Sequence, residues 1–264
     1  MRIDVLGMLR VRGDDGAEHR LSGEKARGML RLLVAAGGQP VPIQTISDVL
    51  WDGRPPRSCL PNIQTYASRI RALLARAGCP GDQRLDYASG AYRLRLLPHE
   101  SDLLCFADLA RRGRTAVTHD PSLAARVLHE AAALWQGPPL PADLLSATSP
   151  AYGIARRWEE LRLCVYTGLV DATCAGAHLS GLVGELQQLA AQHPHRESVQ
   201  LLLLRVLYLS GDVALALATY HQFRCALRDE MGVEPGARLR RIYEAILREE
   251  PLDAAAPHRA MANV

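Results

Sequence analysis

The chain has 264 residues, of which 48% are hydrophobic and 22% charged, and this composition excludes wholesale disorder. No run approaches the about 18 apolar residues of a membrane helix, and the first residues lack the apolar core of a signal peptide, so we expect a cytoplasmic protein. Its net charge of +3 is uneven, because residues 1–97 hold 15 basic and 9 acidic side chains, whereas residues 98–264 hold 16 and 19. This asymmetry favours an anion-binding N-terminal domain over residues 1–97, although ordinary surface variation is the alternative.

The first 97 residues mix strand and helix signals. Alternating apolar residues predict two short strands before residue 13 and a hairpin that turns at Ser89-Gly90. Between them, apolar residues at three- and four-residue steps predict three helices, which span residues 23–36, 43–51 and 58–77. Ser22 is the predicted N-cap of the first of these helices. The order of elements is therefore strands, three helices and a hairpin.

Strand signals vanish after residue 101, and the rest of the chain is predicted to be helical. The seven predicted helices cover residues 101–112, 121–136, 149–175, 181–192, 196–209, 213–230 and 236–249. A glycine turn at Gly211, followed by small residues, is typical of a tetratricopeptide-like helical hairpin. We therefore expect an all-helical domain over residues 98–250 and a mobile tail over residues 251–264.

Motifs for catalysis and for metal or nucleotide binding are absent from the sequence. The six cysteines form no CxxC pair and no histidine cluster accompanies them, which disfavours a zinc site. Lys25 is the only lysine, and Glu24 precedes it where a phosphate-binding P-loop requires glycine. No GxSxG nucleophile motif occurs. We expect a protein that is not an enzyme and that binds neither metal nor cofactor.

The helix predicted over residues 58–77 carries the strongest functional signal. At 100° per residue, its apolar face consists of Leu60, Ile63, Ala67, Ile70 and Leu74. The opposite face is polar and small and is free of acidic residues. It holds Ser58, Pro61, Thr65, Ser68, Arg69 and Ala72, with Arg57 and Asn62 alongside. Such a face can enter a major groove and bind base edges and phosphates. The alternative is a plain solvated face, on which acidic residues would usually be interleaved.

The predicted hairpin adds a second basic element. Arg93 points outward between inward-pointing apolar residues, and from there it can reach a phosphate or the minor groove. Outward arginines are also common on edge strands, so this signal is weaker. Lys25, Arg57 and Arg71 are further candidates for phosphate contacts.

Ordered motifs along nearly the whole chain resemble one bacterial family. They lie at residues 3–7, 23–27, 48–51, 55–58, 64–71, 133–137, 156–162 and 193–236. With these motifs the chain resembles the Streptomyces antibiotic regulatory proteins. The resemblance implies a winged helix-turn-helix of the OmpR type, followed by a helical bacterial transcriptional activation domain. It also implies an activator of antibiotic or other secondary-metabolite gene clusters. Such an activator binds double-stranded DNA at direct repeats near promoters and recruits RNA polymerase through sigma factor contacts.

The family pattern differs from this sequence at two places. Pro61 stands where the family usually has a good helix former, which predicts a later start or a distorted first turn of the third helix. The hairpin tip at Ser89-Gly90 lacks the usual Pro-Gly pattern.

Direct repeats imply protomers that lie head to tail on DNA. The alternative function is a helical-repeat adaptor between proteins that binds no specific DNA.

Overall fold

The computed structural model describes residues 1–79, 81–145, 149–173 and 180–252, and within them the chain is mostly helical, with two small sheets near the N-terminus. An N-terminal winged helix-turn-helix is followed by an all-helical array. The predicted fold class is thereby confirmed. The mobility expected of residues 251–264 falls outside the described residues, apart from Pro251 and Leu252.

The chain begins with a two-stranded sheet and a helix. Strands β1 (Arg2–Asp4) and β2 (Arg10–Arg12) are antiparallel, and the buried Ile3 lies opposite Val11. Helix α1 (Glu24–Ala35) begins after Gly23, whose positive φ of 89° is a conformation that glycine adopts without a steric penalty. The prediction that Ser22 caps this helix is wrong, because Gly23 occupies the N-cap position.

The two helices of the helix-turn-helix match their predicted positions, whereas two short elements beside them were not predicted. Helices α2 (Ile43–Trp51) and α3 (Cys59–Arg76) fall where they were predicted. The strand β3 (Val41–Pro42) before α2 and the helix α4 (Gly81–Arg84) after α3 were not predicted. Both are too short to show a hydrophobic period.

The wing of the N-terminal fold is the predicted hairpin. Strands β4 (Leu85–Ala88) and β5 (Ala91–Leu94) pair antiparallel, and β3 pairs with β5, which gives the order β3-β5-β4. Ser89 and Gly90 both have positive φ, 50° and 75°, as a tight two-residue hairpin turn requires.

The remainder of the described chain is helical, as predicted. Its helices are α5 (Asp102–Ala116), α6 (Pro121–Leu134), α7 (Ala151–Thr173), α8 (Ser180–Gln192), α9 (Glu197–Leu209), α10 (Val213–Met231) and α11 (Ala237–Leu247). Helix α9 packs against α8, α10 and α11, and its residues from Val199 to Leu207 are all buried. The turn between α9 and α10 contains Gly211 with a φ of 86°, so the predicted helical hairpin is present.

The chain divides into two compact units. Unit 1 contains Met1–Arg112 and His129–Arg162, and unit 2 contains Gly113–Leu128 together with the described residues from Leu163 onward. Unit 1 therefore crosses the domain boundary predicted at residue 97. It combines the winged helix with parts of α5, α6 and α7.

A buried carboxylate within unit 1 ties the start of the chain to α5. Both oxygens of Asp102 accept hydrogen bonds: from the backbone N–H of Val5 at 2.9 and 3.0 Å and from that of Leu6 at 2.8 Å. The N–H of Leu103 adds a bond of 2.7 Å. Burial nevertheless raises the pKa of Asp102, because desolvation outweighs the opposing effect of these bonds.

Two side chains attach α1 to the segments at residues 139 and 158. The Arg31 guanidinium donates to the carbonyls of Val5, Gly7 and Pro139 at 3.0, 2.6 and 2.9 Å. The indole N–H of Trp158 donates to the carbonyl of Ala35 at the end of α1, at 2.8 Å. We call Arg31, Asp102 and Trp158 the clamp. It connects the winged helix to the helical segments of unit 1 through backbone atoms.

Candidate nucleic-acid interface

Helices α2 and α3 form the helix-turn-helix. Asp52 takes the left-handed conformation, with a φ of 50°, at the end of α2, and Gly53 follows with a φ of 70°. Trp51 stacks on Tyr66 of α3, with ring centroids 6.4 Å apart. These contacts fix the direction in which α3 leaves the turn.

The inner face of α3 agrees with the predicted apolar face except at its first turn. Ile63, Ala67, Ile70 and Leu74 are buried, and Leu73 joins them. The prediction that Leu60 belongs to this face is wrong, because Leu60 is 51% exposed. The buried stripe begins only at Ile63, so the first turn of α3 extends beyond the core.

Pro61 does not delay or distort α3, contrary to the expectation from the family pattern. The helix begins at Cys59, and the N–H of Asn62 bonds to the carbonyl of Ser58 at 3.0 Å. Pro61 is the third helical residue. Its missing N–H therefore belongs to the first turn, where no intrahelical acceptor is available.

The outer face of α3 brings five predicted site residues together. We call this set, Ser58, Asn62, Thr65, Ser68 and Arg69, the outer face. All of them are exposed except Asn62, which is half-buried. The Asn62 side-chain amide donates to the Ser58 hydroxyl at 3.3 Å, and the Thr65 hydroxyl donates to the Pro61 carbonyl at 2.9 Å. The second bond fixes the Thr65 rotamer and occupies its hydroxyl proton. Arg57 is exposed just before this face.

Two other predicted site residues lie away from the outer face. The Lys25 ammonium donates to the carbonyl of Leu50 in the last turn of α2. Arg71 donates to the carbonyl of Leu85 in β4 through Nε at 3.2 Å and Nη2 at 3.0 Å. Its guanidinium also lies 6.0 Å from the centroid of the Tyr92 ring. Lys25 therefore joins α1 to α2, and Arg71 joins α3 to the wing.

The two sides of the wing differ. Arg93 is exposed and lies opposite Asp86, which forms an ion pair of 2.6 Å with Arg95. On the other side Tyr92 is buried, and burial raises the pKa of its hydroxyl while Arg71 opposes that shift. Tyr87 lies opposite Tyr92 and is 53% exposed. Sequence patterns did not identify Tyr87 as a candidate site residue. The available signal was an aromatic residue two positions before the turn.

Neither a metal-binding cluster nor a membrane-spanning helix occurs among the described residues. No group of three or more histidine, cysteine or carboxylate side chains is arranged to hold a metal ion among the residues described. None of the described helices combines the length and the apolar character needed to cross a membrane.

Known proteins similar to this chain are regulators of transcription. Residues 101–247 match the family described as the bacterial transcriptional activator domain. The chain is 33% identical over 257 residues to the regulatory protein DnrI of Streptomyces peucetius, covering 95% of this chain and 93% of that protein. It is also 33% identical to the transcriptional regulator RedD of Streptomyces coelicolor, covering 96% of this chain and 72% of RedD.

A solved structure resembles the whole fold. It is that of Mycobacterium tuberculosis EmbR in complex with a low-affinity phosphopeptide, with a TM-score of 0.78 and 31% sequence identity. The superposition covers 96% of this chain and 66% of the EmbR chain. The likeness therefore extends over both the winged helix and the helical array.

Proposed function

Because the chain belongs to the Streptomyces antibiotic regulatory protein family and is a transcriptional regulator rather than an enzyme, we propose that it activates transcription by binding specific double-stranded DNA. The observation that carries this proposal is the outer face of α3, which is polar, exposed except at the half-buried Asn62, and without an acidic residue. The genes that we propose as its targets form a secondary-metabolite cluster, such as one for an antibiotic. We place its action in the cytoplasm.

The outer face suits the reading of bases in the major groove. Asn62 can pair with adenine through two hydrogen bonds, and Arg69 can donate to guanine or to a phosphate. The Thr65 hydroxyl is bonded to Pro61, so the methyl group is the part of Thr65 that we propose contacts thymine. Ser58 and Ser68 flank this row with small polar groups. In helix-turn-helix proteins the N-terminal end of the second helix reaches the bases.

Phosphate contacts would hold α3 in its groove. We propose Arg57, before α3, and Arg93, on the wing, as direct contacts because both side chains are exposed. Lys25 and Arg71 bond to backbone carbonyls, so their proposed part in phosphate binding is secondary to positioning α2 and the wing. The net charge of +6 over residues 1–97 supports the attraction of this region to DNA.

The helical region is proposed to contact the transcription machinery. Its match to an activator domain supports recruitment of RNA polymerase, including its sigma factor, by residues 98–250. We further propose that the DNA sites are direct repeats, on which protomers bind head to tail. A two-fold arrangement would instead require inverted repeats.

Footprinting of the full chain upstream of its neighbouring genes tests this function. We expect a protected direct repeat. Binding should weaken steeply as salt is added, because the protein releases cations from the DNA when it binds. Arg69→Ala should weaken the footprint. Gln64→Ala, which removes another exposed side chain about 140° around the same helix from Arg69, should leave it unchanged. If the chain is instead a helical-repeat adaptor, neither the unmodified chain nor either variant should give a footprint.

A further inference from the structure

Tyr87 occupies an unusual position on the wing. Leu85, Tyr92 and Leu94 line the inner side of the hairpin and are buried. Tyr87 belongs to the same side, because it lies opposite Tyr92 in the strand register. Yet 53% of its surface is exposed. Its ring therefore extends past the end of the core on the side of the wing that faces α3.

Neighbouring side chains hold this ring in place. The Tyr87 ring packs on Tyr92, with centroids 4.8 Å apart and planes inclined by 41°. Tyr92 in turn lies beneath the guanidinium of Arg71, which α3 supplies and which bonds to the Leu85 carbonyl. A row of three side chains thus fixes the spacing between α3 and the inner side of the wing. An aromatic ring held in this way loses little conformational entropy on binding.

We propose that the Tyr87 hydroxyl donates a hydrogen bond to a DNA backbone phosphate. The proposal rests on the proposed function. If α3 occupies the major groove and the wing the adjacent minor groove, one backbone strand passes between them, along the side of the wing on which Tyr87 is exposed. Tyrosine hydroxyls are among the groups that bind phosphate oxygens. Arg93 lies on the other side of the wing, so the phosphate proposed for Tyr87 is distinct from the one proposed for Arg93.

The test is Tyr87→Phe in the full chain, which removes the hydroxyl and retains the ring packed on Tyr92. Fluorescence anisotropy on the footprinted duplex and on an unrelated duplex should show binding about 3- to 10-fold weaker on both, as expected for the loss of one hydrogen bond. The slope of affinity against salt should not change, because a neutral donor displaces no cation. Tyr152→Phe, which alters another half-exposed tyrosine, on α7, is the matched control and should bind as the unmodified chain does.

A second measurement locates the contact. Methylphosphonates are placed at single positions along the duplex. At one of these positions, the substitution should weaken binding of the unmodified chain but not binding of Tyr87→Phe. Unchanged affinity of Tyr87→Phe, while Arg69→Ala still weakens binding, would overturn this proposal and leave the proposed function standing. Failure of the unmodified chain to bind any duplex specifically would overturn the proposed function instead.

Discussion

Arg31 and Arg69 lie on two helices of unit 1 and have opposite surroundings. Arg31 is half-buried, and its guanidinium donates three hydrogen bonds to backbone carbonyls. Burial lowers the pKa of Arg31. Arg69 is exposed on the outer face of α3. The positive charge of the winged helix therefore lies in two kinds of surroundings, one within the fold and one at the surface. The half-buried Arg31 of the clamp holds the fold together, and exposed arginines such as Arg69 are the ones that we propose bind DNA.

The same substitution at Arg31 and at Arg69 should have opposite effects on folding and on DNA binding. Arg31→Ala should lower the free energy of unfolding by about 2–4 kcal/mol, because three carbonyls lose their charged donor. Arg69→Ala should change it by less than about 0.5 kcal/mol and weaken DNA binding instead. Urea denaturation and anisotropy measure the two effects. Equal destabilisation by both variants would show that the outer face is structural.

A smaller effect is expected at the indole of the clamp. Trp158→Phe removes the bond to Ala35, and we expect a loss of about 1 kcal/mol in the free energy of unfolding. Trp135 is the control, since it is also buried but its indole N–H has no hydrogen-bond partner among the described residues. Trp135→Phe should therefore cost less. A larger loss for Trp135→Phe in thermal unfolding would contradict the account of the clamp.

The exposed arginine of the wing should affect the salt dependence of binding rather than stability. Arg93→Gln should reduce the slope of log affinity against log salt by about 1, with similar losses on all sequences. Arg10→Gln removes the same charge from an exposed position on β2, in the other sheet, and should leave the slope unchanged. Identical slopes for the two variants would indicate an attraction to net charge alone.

The smallest expected effect concerns pH. Because burial raises the pKa of Asp102 above its ordinary value of 3.8, the folded chain holds this proton more tightly than the unfolded chain does. The stability of the unmodified chain relative to Asp102→Asn should therefore rise as the pH falls from 7 towards 4. Asparagine does not titrate, so the difference between the two proteins isolates this group. If this stability difference instead decreases as the pH is lowered, the hydrogen bonds from Val5, Leu6 and Leu103 determine the pKa of Asp102 more than burial does.

Sequence patterns predicted the fold well where a period repeats over several turns. The helices of the array and the inner face of α3 from Ile63 onward are of this kind. Leu60 has the right period but lies beyond the core, and β3 has two residues and no period at all. A helical period shows which side a residue faces. It does not show how far the neighbouring helices extend.

The candidate site was predictable in part for a different reason. The outer face follows from helical geometry, so its residues meet on one exposed side. The partners of Lys25 and Arg71 are carbonyls of Leu50 and Leu85, and backbone carbonyls leave no mark in the sequence. The clamp escaped prediction for the same reason. The number of basic residues over residues 1–97 therefore overstates the charge available to DNA.

The proposed reading of bases by the outer face of α3 is tested most directly by two variants, Asn62→Ala and Thr65→Ala. Their affinity is measured for the footprinted duplex and for its single-base variants. At fixed salt, we expect each variant to lose about 1–3 kcal/mol of binding free energy on the footprinted sequence and to stop discriminating at one base pair. Gln64→Ala should behave as the unmodified chain. Unchanged affinity and discrimination in both variants, each with an unchanged circular dichroism spectrum, would contradict the claim.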